Sequence, residues 1–274
     1  MGLGNVLAEI HEGRSKRHIL TFLKDNLPVE EVVPFRGDDW YLRASKIPRM
    51  CPREEVLVWR HKLPFLVKRT ADNAWWFGLG TAFHYVFQTV LLGPHGVLHG
   101  LWRCQCGWGT EERGPMPAEC PKCGRKGRFL FVEEEVSSPD GRLVGHMDGI
   151  LMLEGMPPAV IDFKTVQPYE FHKCSEVPNP DHVMQLQVYM MLAGLDNGVL
   201  LYINKHEGKM NAALAEHWIR RNEKQTEAIQ RLVAKVKEGI EGGVLPGGVC
   251  CTRDERRAKQ CGIRDLCFRT GDGP

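Results

Sequence analysis

The chain has 274 residues, with 36 Lys plus Arg against 34 Asp plus Glu and a formal charge of +2. Its 43% hydrophobic and 26% charged residues exclude a disordered chain, and its length can bury a full core as one large domain or one domain with insertions. No apolar run approaches the roughly 18 residues of a membrane span, and no apolar segment follows the charges of residues 1–20, which argues against a secretory signal. A near-zero net charge leaves a nucleic-acid partner open, because such binding depends on a local patch.

Residues 1–24 and 68–92 have helical spacing, with Trp75, Leu79, Phe83, Val86 and Val90 expected as a buried stripe of the second. Pro28, Pro34, Pro48, Pro52 and Pro64 punctuate the loops between them. Residues 93–127 turn to Gly, Pro and Cys, the composition of an inserted module. Three β-rich runs follow at 128–136, 141–153 and 158–166, the first two joined by a turn at 138–141. A helix at about 180–194, a strand at 199–205 and an amphipathic helix at about 211–240 come next. Gly242, Gly243 and the Pro246-Gly247-Gly248 step end that helix before a cysteine-bearing tail. The succession predicts an α/β fold, a mixed sheet flanked by helices.

Clustered cysteines in a chain without secretory features read as metal ligands before disulfides. Cys104, Cys106, Cys120 and Cys123 form a zinc-ribbon-like group with a Cys-Pro-Lys-Cys-Gly knuckle, its first pair spaced C-x-C. Without Zn²⁺ this Gly- and Pro-rich loop has too little apolar content to fold. Its simplest role is to brace an insertion. Lys122, Arg125, Lys126 and Arg128, with Trp102 and Trp108 expected to be exposed, also suit a single nucleic-acid strand. A second group joins Cys51 to Cys250, Cys251, Cys261 and Cys267, which would clamp the two ends of the chain together. Cys174 stands apart as a buried free thiol. The tail from residue 252 carries Arg253, Arg256, Arg257, Lys259, Arg264 and Arg269 against Asp254, Glu255 and Asp265, a phosphate-facing patch or a solvated face.

Asp162 and Lys164 lie two apart in a strand, so both point to one face while Ile161 and Phe163 point to the other. Burying them without partners would cost several kcal/mol, roughly the price of an unpaired charge. Asp148, on the preceding hairpin, can face Asp162, and two facing carboxylates call for a shared proton or a divalent cation. His84 lies one turn beyond Gly80 on a helix; a lone histidine there is more often a core residue than a ligand. Gln185 and Tyr189 share a helix face, four residues apart, while Gln187 turns to another.

In order, Gly80-x-x-x-His84, Gly145-x-x-Asp148, Asp162-x-Lys164 and Gln185-x-x-x-Tyr189, with the Tyr202–Lys205 strand after them, resemble the PD-(D/E)XK nuclease superfamily. The likeness is to its RecB-like branch, which includes CRISPR-associated nucleases with an iron–sulfur cluster and similar phage exonucleases. The resemblance implies a restriction-endonuclease-like core at 68–98 and 128–245. Around it stand an N-terminal region at 1–67, a zinc-ribbon-like insertion at 99–127 and a cluster segment at 246–274. It further implies that Asp148, Asp162, His84 and the backbone carbonyl of Phe163 hold Mg²⁺ or Mn²⁺. Lys164 would serve the attacking water and the phosphate, with Gln185 and Tyr189 positioning Lys164 or the DNA backbone. Cys51, Cys261, Cys267 and one of Cys251 or Cys250, Cys251 being favoured, would hold a 4Fe–4S cluster, with zinc as the competing occupant.

The expected function is a metal-dependent nuclease of DNA with single strands or free ends, an exonuclease, in the cytoplasm of a bacterial, archaeal or phage-infected cell. A replication, recombination or integrase protein is the expected partner. The rivals are a non-catalytic nucleic-acid-binding protein of the same fold, an iron–sulfur redox protein, a nuclease with two zinc sites, and a nuclease of RNA.

Overall fold

The computed structural model describes residues 18–27, 29–33, 35, 39–127, 129–250 and 252–269. Cys251, Arg128, Pro28, Pro34 and residues 1–17 of the first expected helix lie outside the described residues. Two compact units form: residues up to 35 with 64–80, and residues 36–63 with 81 onward. Among the described residues no helix is long and apolar enough to cross a membrane.

The chain opens with α1 (His18–Asn26) and β1 (Val29–Val33), then passes through β2 (Leu42–Arg43), a 3-10 turn (Ala44–Arg49) and α2 (Pro52–Arg60). It returns as β3 (Phe65–Arg69), which pairs antiparallel with β1. Next, α3 (Ala71–Tyr85) runs into a π-helical segment (Val86–Leu92). The stripe expected here is not buried: Trp75 is 59% exposed, Val86 and Val90 are exposed, and Leu79 and Phe83 are half-buried. Trp75, Trp76, Phe77 and Leu79 surround the helix, so spacing alone picks out no face. The change to π geometry also resets the register, and Phe87 and Gln88 are the buried residues.

The rest of the larger unit comprises β4 (Leu98–His99), β5 (Leu101–Cys104), β6 (Phe129–Val132), β7 (Glu134–Ser137), β8 (Leu143–Met147), β9 (Ile150–Leu151) and β10 (Ala159–Val166). These are followed by α4 (Pro168–Glu176), α5 (Pro180–Ala193), β11 (Asn197–Asn204), α6 (Met210–Ala213), β12 (Leu214–Arg220), α7 (Glu223–Glu241), α8 (Arg256–Gln260) and α9 (Arg264–Arg269). A five-stranded mixed sheet runs β12-β11-β10-β9-β4, parallel only between β10 and β11. β2, β8 and β7 form a second sheet, and β5 pairs with β6. The fold is thus the α/β arrangement of sheets flanked by helices that the sequence predicts.

The helix expected over 211–240 is broken in two. Residues 214–220 are instead β12, the sheet edge, and carry Arg220; only Glu223–Glu241 is the long helix. Half-burial alternates along β12, the signature of a strand with one covered face. Ala-rich and charged residues favour a helix locally, but pairing with β11 over 197–203 overrides that preference.

The central strand β10 is covered on both faces. Ile161 and Phe163 pack with Phe87, Leu98 and Val199 on one side. Val160 and Val166 join Leu186, Tyr189, Leu200 and Tyr202 on the other, which is the face Asp162 and Lys164 share. Such two-sided burial explains the near-continuous apolar run around them. The crossover from β10 to β11 places α5 against this face. Its start is set by Asn179, whose side chain accepts from the Asp181 N–H at 2.9 Å, with Pro180 in the first turn.

Candidate active site

At the end of β10 a cavity of about 290 Å³ is lined by His84, Glu133, Asp148, Asp162, Lys164, Gln185 and Tyr189, with Arg43 and Ser45 at its rim. Asp148 sits in the break between β8 and β9 and is 6% exposed; Asp162, inside β10, is 3% exposed. The Asp148 carboxylate is held from two sides. Its Oδ2 accepts from the backbone N–H of Phe163 at 2.7 Å, and its Oδ1 lies 3.1 Å from His84 Nδ1. Gln88, four residues after His84, donates to the Asp148 backbone carbonyl at 3.0 Å. The junction of α3 with the π segment thus presents two side chains to one aspartate, in a geometry common at functional sites.

Lys164 Nζ lies 2.8 and 3.1 Å from the two oxygens of Asp162 and donates to Gln185 Oε1 at 2.9 Å. Gln185 in turn donates to Tyr189 Oη at 2.8 Å. All six side chains predicted for the chemistry therefore line one cavity, and Phe163 lines it too. Gln187 points elsewhere, exchanging hydrogen bonds with the Arg220 carbonyl and the Asn222 N–H. Glycine at 145 follows from close packing: a Cβ there would sit 2.6 Å from the Tyr189 ring and 3.0 Å from Ala44 Cβ. Gly149, at φ 141°, lets the chain turn directly after Asp148 against Leu98.

The site is short of positive charge. Burial, together with the charge of Asp148, pushes Asp162 up to about 6 against the pull of Lys164. Burial pulls His84 down, but the hydrogen bond to Asp148 and the charges of Asp148, Asp162 and Glu133 outweigh it and leave the imidazole above its ordinary value. Burial and then Asp162 keep the Tyr189 hydroxyl protonated, well above the usual phenol range. Two residues of the site had no sequence motif, Glu133 and Gln88. Gln88 was visible as the i+4 partner of His84; Glu133 was hidden in a run of three glutamates.

Behind Lys164, Tyr202 faces it across the β10–β11 pair. Tyr202 Oη accepts from the Asn179 N–H and meets His182 Nδ1, both at 3.0 Å, tying the first turns of α5 to the sheet. Burial first, then Lys164, draws His182 down to about 4. An unfolded histidine titrates near 6.5, so between about pH 6.5 and 4 the unfolded chain takes up a proton that the native state refuses. Stability is therefore expected to fall as the pH drops through that window, by about 1–3 kcal/mol. Melting temperatures across it should decline more steeply for the native chain than for His182→Gln; parallel curves would remove this role.

The four thiols of the inserted module converge. Cys104 and Cys123 sulfurs lie 3.7 Å apart, those of Cys106 and Cys120 3.6 Å, and all four fall within 4.8 Å of one another. Tetrahedral zinc with arms of about 2.3 Å spaces its sulfurs about 3.8 Å apart. A backbone hydrogen bond at Trp108 draws the Cys106 thiol down to about 7. Trp102, expected on the surface, is instead 1% exposed: it packs with Cys104, Cys120 and Phe129, and its Nε1 donates to the Gly114 carbonyl at 2.9 Å. A module this small has few apolar side chains and needs its large aromatics as core. Trp108 is half-buried, while Lys122, Arg125 and Lys126 are exposed.

Cys51, Cys250, Cys261 and Cys267 line a second cavity, of about 360 Å³, with Arg49 and Arg257. Among the described residues no three of these sulfurs lie within 4.8 Å of one another. Part of the tail's positive charge is spent internally: Arg253 pairs with Asp265, and Arg257 donates to the Arg49 carbonyl at 2.6 Å. Cys174 is a buried free thiol, as expected.

The model of the PD-(D/E)XK nuclease superfamily matches residues 96–268. No curated protein matches the chain. Similar solved structures include SSO0001, at 17% identity over 84% of this chain and 87% of that one, with a TM-score of 0.42. LHK-Exo, an alkaline exonuclease of Laribacter hongkongensis, is similar in its complex with dAMP at 12% identity, over 74% of this chain and 89% of that one, with a TM-score of 0.46.

Proposed function

The chain belongs to the PD-(D/E)XK nuclease superfamily, and from that premise we propose that it is a metal-dependent deoxyribonuclease, an exonuclease of single-stranded ends, that hydrolyses phosphodiester bonds with an activated water. The observation that carries the reading is the chain of contacts Asp162–Lys164–Gln185–Tyr189 beside the Asp148–His84 pair in one cavity.

The donor set fits a hard divalent cation. Asp148, Asp162, His84 and the Phe163 carbonyl supply oxygen and imidazole ligands, and the buried Asp162 Oδ2 makes no directed hydrogen bond, although Lys164 Nζ lies beside it. Mg²⁺ or Mn²⁺ held there would polarise the phosphoryl oxygen and ease ionisation of water. Lys164, half-buried on the strand and fixed by Asp162 and Gln185, offers a preorganised cation to the developing charge on phosphate. Gln185 fixes the lysine through its carbonyl oxygen, and Tyr189, protonated, receives the amide's hydrogen bond in turn. The Phe163 N–H fixes Asp148 so that the carboxylate does not swing when substrate enters.

The two cysteine sites take different occupants in this reading. The close-set sulfurs of Cys104, Cys106, Cys120 and Cys123 suit Zn²⁺. The wider group of Cys51, Cys261 and Cys267 around one cavity suits a 4Fe–4S cluster better than a single ion. Cys250 lines that cavity, and Cys251, favoured from the sequence as the fourth thiol, lies outside the described residues.

The test incubates the full chain and Mn²⁺ with end-labelled single-stranded DNA, duplex DNA and RNA of one sequence. Stepwise shortening of the single-stranded DNA from one end is expected. Cleavage of RNA alone would replace DNA as the substrate. Binding to DNA without cleavage, by protein with both cysteine sites filled, would contradict the enzyme reading.

A further inference from the structure

We propose that a second copy of this chain docks on the free edge of β12, joining two five-stranded sheets antiparallel about a two-fold axis at Trp218. The inference does not depend on the nuclease reading. β12 ends the larger sheet and pairs with β11 in seven consecutive register positions. The Arg221 N–H donates to the Asp196 carbonyl at 2.8 Å, which fixes the phase of that ladder. Alternate residues turn their N–H and C=O groups to β11, while Glu216, Trp218 and Arg220 turn theirs to the open side. The Arg220 carbonyl accepts from Gln187 Nε2 at 3.0 Å and keeps a second lone pair. Among the described residues, nothing takes the outward backbone groups of Glu216 and Trp218. Such edges are commonly blunted by lysine, proline, a bulge or short length. β12 has seven residues, no lysine or proline, and an unbroken register.

The side chains say which partner fits. Glu216, Trp218 and Arg220 form the exposed face of the strand, and their order of acid, aromatic and base is self-complementary. Antiparallel pairing centred on Trp218 sets that indole against its copy. It also sets Glu216 against Arg220 of the second copy, and the reverse, so two ion pairs form at once. Centring on Glu216 or on Arg220 would instead face like charges. Aromatic pairs and opposite charges directly across an antiparallel pair are stabilising, and like charges are not. Both charges are available: among the described residues Arg220 has no ion pair, and Glu216 meets the Trp218 indole N–H at 3.2 Å.

A stable interface buries about 1,200–2,000 Å² in total, more than one pair of strands supplies. The elements beside the edge add apolar surface. Met210, shortly before β12, is exposed, and so is Val177, at the end of α4. α4 packs on β12, with His217 Nε2 2.6 Å from the Cys174 carbonyl. A two-fold interface uses each of these patches twice.

The measurement is sedimentation equilibrium of the full chain under reducing conditions at micromolar concentration, with amide hydrogen exchange read over 214–220. The wild type is expected to be a dimer whose Glu216 and Trp218 amides exchange as slowly as those of an inner strand. Glu216→Arg and Arg220→Glu each place like charges opposite one another twice, and each is expected to weaken the dimer by about 10- to 100-fold. The double variant carrying both reversals restores the two ion pairs with their signs exchanged. It is expected to dimerise again, which also shows that neither change spoils the fold. A monomeric wild type, or a dimer that neither single reversal weakens, would overturn the proposal. Weakened single variants with no recovery in the double variant would overturn the pairing centred on Trp218.

Discussion

Replacing Lys164 by alanine is expected to lower Mn²⁺-dependent cleavage by about 10²- to 10³-fold, the scale of removing one preorganised cation or donor from a developing oxyanion. The side chain is only 16% exposed, and its ammonium touches both oxygens of Asp162 and the amide of Gln185. Its loss leaves Asp162 buried without its partner, an uncompensated charge that costs roughly 3–5 kcal/mol in ordinary interiors. The variant should therefore be less stable than the wild type without added cation and regain most of that difference with Mn²⁺. Rate and stability then separate: Mn²⁺ restores the fold but not the rate. Gln185→Ala, which removes only the support, should cost about 10- to 100-fold, on the scale of outer-shell partners of metal sites. Single-turnover cleavage and thermal melts with and without Mn²⁺ check both statements. A Lys164→Ala rate within a few-fold of wild type would remove the lysine from the chemistry.

Stripping the zinc proposed for Cys104, Cys106, Cys120 and Cys123 should unfold the inserted module and spare the rest. The core of this module is Trp102, Cys104, Cys120 and Phe129, with Cys106, Trp108, Met116 and Phe131 packed around it, so three of its eight members are themselves thiols of the metal group. Structural zinc contributes about 10–16 kcal/mol in small peptides, more than so small a core can supply alone. The two larger cores contain none of these four thiols. Chelation, or Cys120→Ser, is expected to abolish amide protection over 101–104 and 129–132 and to shift tryptophan emission to the red as Trp102 is exposed. Protection over β10 and β11 should persist. Unchanged protection of 101–104 in metal-free protein would show that the thiols need no ion.

Much of the catalytic pattern was readable because it is local. The two-residue step from Asp162 to Lys164 fixes a shared strand face, and the four-residue step from Gln185 to Tyr189 fixes a shared helix face, whatever the rest of the chain does. Glu133 was not readable. Its place depends on where the chain changes sheets, and neighbouring Glu134 and Glu135 carry the same chemistry in sequence. Gln88 was readable only if the helix of His84 was trusted through its change to π geometry. β12 was misread because local helix preference competes with pairing along a distant strand. Trp102 was misread because surface aromatics and module cores draw on the same residue type. The thiols of the first metal group stood out by their spacing, whereas the second cavity gathers Cys51 with Cys250, Cys261 and Cys267 some 200 positions away, and Cys251, the member of the adjacent pair favoured from sequence, lies outside the described residues.

The most direct test of the catalytic assignment is single-turnover cleavage of end-labelled single-stranded DNA with Mn²⁺, comparing wild type with Asp162→Ala at equal folded concentration. Asp162 lies on the central strand, pairs with Lys164 and is a proposed ligand of the catalytic cation. The account predicts a ladder of shortened products for the wild type and none above background for the variant. Equal cleavage by both proteins, or none by the wild type, would contradict it.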